Sequence, residues 1–101
     1  MKIMRAIMES LGLSPNHLRE SIEKGMQLIM INSYPQCSSS TINPVGILSH
    51  TDHTIITILA ENTPGLEVLQ STDNSWRPAL VSKNGLIVLV GDHLELLSNG
   101  L

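Results

Sequence analysis

Turn signals fall at short intervals along the second half of this chain, and that spacing limits the fold more than any other feature. Asn62-Thr63-Pro64-Gly65, Asp73-Asn74, Lys83-Asn84-Gly85 and Gly91-Asp92 divide it into apolar, β-branched pieces at residues 45–52, 55–60, 66–70, 75–80, 86–90 and 94–97. Each piece has the length of a strand, and many short strands joined by regular turns predict a sandwich, jelly roll or barrel. Asn99-Gly100 is a further hairpin-turn signal.

The first part of the chain has a different period. Ile3, Met4, Ile7, Met8 and Leu11 recur at three- and four-residue spacing, so residues 2–11 predict an amphipathic helix ending at Gly12. Ser14 is placed as an N-cap and Pro15 as the first helical residue of a second helix, with Leu18 and Ile22 as its apolar face and Gly25 as its stop. Arg19, Glu20, Glu23 and Lys24 form a solvated outer face, and His17 in the first turn is expected to be exposed. Residues 26–34 are nearly continuously apolar and predict a buried strand, closed by Pro35, which cannot donate to a ladder. Residues 38–43 are polar and turn-rich and read as a loop. The expected class is therefore mainly β with N-terminal helices (α+β). Residues 1–25 form a helical segment packing on the sheet, and residues 26–101 form the β domain.

Composition sets the remaining bounds. Hydrophobic residues make up 42% of the 101, enough for a core, but aromatics are 2% with no Phe, so Leu, Ile, Val and Met must fill it. Six basic against nine acidic residues give a net charge of −3 with no basic patch, which argues against nucleic acid or an anionic membrane surface as partner. No apolar run is long enough to span a bilayer. The single Cys37 has no internal disulfide partner and suits a reducing compartment; a cytoplasmic protein is the expectation. With no base suggested nearby, Cys37 reads as a buried packing residue.

His50-Thr51-Asp52 carries the chemistry. Side chains two apart in an extended chain share a face, so His50 and Asp52 project together while Thr51 and His53 point the other way. An imidazole and a carboxylate at one spot are two-thirds of a two-histidine, one-carboxylate iron(II) site. Taken alone, the pair is read more simply as a strand end capped by His50 and a turn opened by Asp52.

The surrounding blocks favour the metal reading. Gly25-Met26-Gln27-Leu28 leads into Asn32-Ser33-Tyr34-Pro35-Gln36-Cys37; His50-Thr51-Asp52 precedes Ile56-Thr57-Ile58-Leu59. Gly65-Leu66-Glu67-Val68-Leu69 precedes Trp76-Arg77-Pro78, and Gly91-Asp92-His93-Leu94-Glu95 precedes Leu97-Ser98-Asn99-Gly100. In this order and spacing the chain resembles the plant-type 2-oxoglutarate- and iron(II)-dependent dioxygenases, the group that includes flavonol synthase and the gibberellin oxidases. The resemblance covers essentially the whole chain; Gln36 and Ser38 depart from it, standing beside Cys37 where the family usually has proline.

The resemblance implies a double-stranded β-helix (a cupin-like jelly roll), here partial and lacking its last strands. It implies that His50 and Asp52 ligate iron(II), that Tyr34 reaches a 2-oxoglutarate carboxylate oxygen, and that Asn32 lies on the same face. It also implies oxidation of a small organic substrate by O2 with decarboxylation of 2-oxoglutarate to succinate, and ascorbate as reductant. His53, facing away, and His93, in a turn, are not expected to ligate. The third ligand, a second His, is expected beyond Leu101, so the chain alone is expected to be a truncated, inactive piece. Trp76 is expected to pack in its hairpin with a ring edge exposed, and residues 54–59 to form a core strand. The competing expectation is a non-catalytic β domain acting through contacts, with self-association through exposed sheet edges.

Overall fold

A computed structural model describes residues 2–36, 38 and 45–101, and the chain divides into two compact units between Ser49 and His50. Cys37 and most of the expected loop at 38–43 lie outside the described residues.

In the first unit, α1 spans Lys2–Ser10. Its three- and four-residue spacing brings Met4 and Met8 onto one stripe, and both are buried, Met8 to 2% exposure. Burial of each thioether side chain is worth about 1.5–3 kcal/mol. The helix stops as the sequence predicts. Gly12 takes a left-handed φ of 70°, the Gly12 N–H donates to Glu9 O at 3.1 Å, and the Leu13 N–H donates to Met8 O at 2.9 Å. This pair of bonds is a Schellman motif, and it satisfies carbonyls the helix leaves open.

The second helix begins later than expected. α2 is Arg19–Glu23, not a helix from Pro15. Ser14 instead holds a turn: its hydroxyl accepts the Asn16 N–H at 3.4 Å and its carbonyl accepts the His17 N–H at 2.9 Å. Short polar side chains compete with the helix for backbone donors, and here that local turn wins. The charged outer face is as expected, with Arg19 Nε donating to Glu23 Oε1 at 2.8 Å in the open. His17 is exposed.

Two expected strands are not formed. Residues 26–34 belong to no ladder, and they are exposed rather than buried, Met26 at 93% and Ile31 at 94%. Residues 45–52 also belong to no strand. Apolar, β-branched composition gives a segment the capacity to pair, but a strand exists only where a partner completes its ladder.

The second unit is built of nested antiparallel pairs. β1 (Ile56–Leu59) pairs with β4 (Ile87–Val90), and between them in sequence β2 (Glu67–Gln70) pairs with β3 (Ser75–Pro78). The β1–β4 register sets Ile56 opposite Val90 and Ile58 opposite Val88, so these four share one face. Thr57, Leu59, Ile87 and Leu89 form the other face, and all four are half-buried. In the β2–β3 hairpin Leu69 lies opposite Trp76, whose ring is partly exposed as expected.

The last expected strand, residues 94–97, is a helix. α3 runs Asp92–Ser98 and buries Leu94 to 4%. Asn99-Gly100 is its stop and not a hairpin turn: Asn99 is left-handed at φ 58°, and the Gly100 N–H returns to Glu95 O at 2.9 Å. Gly91-Asp92 before it and Asn99 after it are start and stop signals of a helix that outweigh the apolar content of a four-residue window.

Candidate metal centre

His50, Asp52, Thr51 and His53 all lie in the second unit, on the segment that enters β1. Although this segment joins no ladder, its side chains alternate as an extended chain requires. Thr51 Oγ1 donates to Asp92 Oδ2 at 2.9 Å, and His53 Nδ1 meets the same oxygen at 3.1 Å. His50 Nε2 lies 3.6 Å from Asp52 Oδ1. The two sets of side chains thus gather separately.

The main chain fixes this arrangement from the β4–α3 junction. The Gly91 N–H donates to Ile55 O at 3.1 Å, the Asp92 N–H to Asp52 O at 2.8 Å, and the His93 N–H to Thr54 O at 3.3 Å. Gly91 is there for space. Its φ of −94° suits any residue, but a Cβ would collide with Thr54 O and lie 2.8 Å from Asp52 O.

The donor set fits a divalent metal as far as it goes. Donors each about 2.1 Å from a first-row ion such as zinc can be no more than about 4.2 Å apart, and the 3.6 Å between His50 Nε2 and Asp52 Oδ1 lies inside that limit. The side chains are 52% and 28% exposed, so an ion has access from solvent. A neutral imidazole with a hard carboxylate matches a non-haem iron(II) half-site. Among the described residues no group of three or more His, Cys, Asp or Glu side chains is placed to hold a metal.

Asn32 and Tyr34, the residues expected at 2-oxoglutarate, belong to the first unit. Both are exposed, so Tyr34 does not end a buried strand. Its ring rests on Gly46, where a Cβ would lie 2.7 Å from Cδ1 and 2.9 Å from Cε1. Neither the role of Gly46 nor the contacts of Asp92 can be read from the sequence. Local spacing carries no signal for either: Asp92 is 41 residues from Thr51 and 39 from His53.

A histidine and an aspartate two apart, presented at the entrance to an antiparallel β unit, are a donor pair of the kind that divalent metals take. Comparison with known proteins gives the class its name. The 2OG-Fe(II) oxygenase superfamily profile matches residues 25–101, and the chain belongs to that family. It is 43% identical over 100 residues to 2-oxoglutarate-dependent dioxygenase 21, chloroplastic, of rice (Oryza sativa subsp. japonica), covering 99% of this chain and 30% of that protein. Flavanone 3-dioxygenase 3 of rice is 41% identical, with the same coverage. Flavonol synthase 1 of Crocosmia x crocosmiiflora is 35% identical, covering 98% of this chain and 30% of its own length. The chain therefore spans about 30% of the length of these relatives. No solved structure matches it significantly. No helix among the described residues is long and apolar enough to cross a membrane. A cytoplasmic location is not singled out, since one relative is named as chloroplastic.

Proposed function

We propose that this chain supplies the His-x-Asp half of the iron(II) site in a 2-oxoglutarate-dependent oxygenase that oxidises a small organic molecule with O2. The observation that carries the reading is the approach of His50 Nε2 to within 3.6 Å of Asp52 Oδ1, in a chain that belongs to the family. His50 and Asp52 hold the metal through a neutral imidazole and a carboxylate. Tyr34 donates its phenol to a carboxylate oxygen of 2-oxoglutarate, with Asn32 beside it. Bound iron(II) supplies the chemistry, oxidative decarboxylation of 2-oxoglutarate to succinate coupled to substrate oxidation, with ascorbate keeping the metal reduced. The residues of this chain bind and orient. The flavanones and flavonols in the relatives' names suggest a substrate of comparable size.

The β unit supports the jelly-roll reading because β2–β3 nests inside β1–β4, the pattern made by winding one long hairpin. Residues 26–101 are then part of that roll, and residues 1–25 are a separate helical segment. A facial site requires three protein ligands, and His50 and Asp52 are two of them. Two ligands do not complete the site, so His50 and Asp52 alone should make no succinate.

Anaerobic iron(II) titration tests the ligand pair. The full chain should bind weakly, and His50→Ala and Asp52→Ala should each abolish binding. Undiminished binding by either variant would exclude the assignment. In a succinate assay with iron(II), 2-oxoglutarate and ascorbate, turnover by the chain alone would overturn the need for a third ligand.

A second reading has one observation in its favour. Ile58, Val88 and Val90 leave one face of the β1–β4 pair open to solvent, which suits a β domain acting through contacts.

A further inference from the structure

We propose that Asp92 is the positioning residue of the His50-Thr51-Asp52 segment: its carboxylate and its backbone N–H together hold the strip of chain from which both candidate ligands project. The inference rests on the iron(II) reading above but concerns side chains that reading does not use.

Asp92 touches this segment from two directions. Its Oδ2 accepts Thr51 Oγ1–H at 2.9 Å and faces His53 Nδ1 at 3.1 Å, the distance of a hydrogen bond donated by the ring when that nitrogen carries the proton. Its N–H donates to Asp52 O at 2.8 Å. The carboxylate thus collects the odd-numbered side chains. In extended chain, fixing Thr51 and His53 on one side fixes His50 and Asp52 on the other. A charged acceptor serving two donors is stronger than a neutral one, and the neighbouring Gly91 and His93 N–H groups complete the attachment at Ile55 O and Thr54 O. Asp92 thereby sets the direction of two ligands without contacting the ion, as groups behind metal ligands commonly do.

Three substitutions separate these contacts. Asp92→Ala removes both side-chain bonds and leaves the backbone donor. Asp92→Asn keeps an acceptor oxygen for Thr51 Oγ1. Thr51→Val removes one of the two side-chain bonds and leaves α3 untouched.

The test uses the full chain with Co(II) alone as probe, read by visible absorption, and His50→Ala as control for the metal reading. Asp92→Ala should weaken Co(II) binding about 10–100-fold and change the spectrum of the bound ion. Thr51→Val should move both in the same direction by less, and Asp92→Asn should restore them to near the parent. Parent-like binding and spectrum in both Asp92→Ala and Thr51→Val, while His50→Ala abolishes binding, would overturn the proposal and leave the metal reading intact. If the parent chain shows no Co(II) binding sensitive to His50→Ala, the metal reading fails, and amide hydrogen exchange of the metal-free chain decides the positioning role. There Asp92→Ala should speed exchange at Gly91, Asp92 and His93 about tenfold relative to Asp92→Asn. Equal exchange in the two variants would overturn the role of the carboxylate.

Discussion

At the scale of single residues, Asp73 gathers the densest set of side-chain bonds in the β unit. Its Oδ1 accepts the Ser75 hydroxyl at 2.7 Å and the Ser75 N–H at 3.1 Å, and its Oδ2 accepts Arg77 Nη2 at 2.8 Å. The Ser75 hydroxyl first, and then the Arg77 guanidinium, hold the Asp73 carboxyl below its ordinary value of 3.8. A depressed folded-state value means that the unfolded chain binds the proton more readily, so this contribution to stability is full above the ordinary value. It is lost as pH falls through the lower, folded value. The β2–β3 hairpin should therefore weaken in acid, and Asp73→Asn should flatten that limb of the stability curve. Urea midpoints between about pH 5 and about pH 2 check this; an unchanged acid limb in Asp73→Asn would assign it to other carboxylates. The Asp73-Asn74 turn itself was legible, because Asx side chains bond their own backbone two residues on and tolerate a left-handed φ, here 54° at Asn74. The contacts of Asp92 were not legible. Nothing in the sequence near Thr51 indicates which distant acid will meet it.

At the scale of elements, the β4–α3 junction shows why some of the fold could be read from sequence and some could not. Gly91 and Asp92 were recognised as a turn, but the reason for glycine is the crossing of another segment of backbone. Gly91→Ala would drive a methyl group into Thr54 O, a main-chain atom that cannot rotate away. Displacing it disturbs the bonds from the Gly91, Asp92 and His93 N–H groups together. The substitution should cost about 3 kcal/mol, at the upper end of ordinary overpacking, read as a lower urea midpoint. An unchanged midpoint would mean that the crossing is looser than these distances. The strands β1 to β4 were legible because turn signals separate them, whereas the pairing of β1 with β4 was not. In the segment of α3, apolar Leu94, Leu96 and Leu97 carry a strand signal, but the stop at Asn99 belongs to a helix. Residues 26–34 show the opposite difficulty. Their composition is that of a buried strand, but burial belongs to a partner, and composition does not supply one. At the candidate site, the side-by-side placement of His50 and Asp52 was readable from a period of two. Their supporting contacts, and the seat of the Tyr34 ring on Gly46, depend on pairings distant in sequence.

At the scale of the whole chain, the balance between buried and open apolar surface is what matters. Met4, Met8 and Leu94 are the buried hydrophobic side chains among the described residues, whereas Ile58, Val88 and Val90 are 50%, 41% and 64% exposed on a single sheet face. Two-stranded pairs are marginal by themselves in water, and an open apolar face of this kind draws other surfaces to it. The isolated chain should therefore associate with itself, eluting in size-exclusion chromatography with light scattering above its 11.0 kDa monomer mass and binding a hydrophobic dye. Ile58 and Val88 stand directly opposite each other, which allows a specific test of the face. Ile58→Lys with Val88→Glu places opposite charges across the ladder, where such a pair supports the register by about 0.2–1 kcal/mol. The double variant should return towards the monomer and lose dye binding while keeping its β signal in circular dichroism. A parent chain that elutes as a clean monomer without binding dye would refute the association. Association persisting at full strength in the double variant would move the contact to another surface, with the exposed 26–31 stretch the next to test.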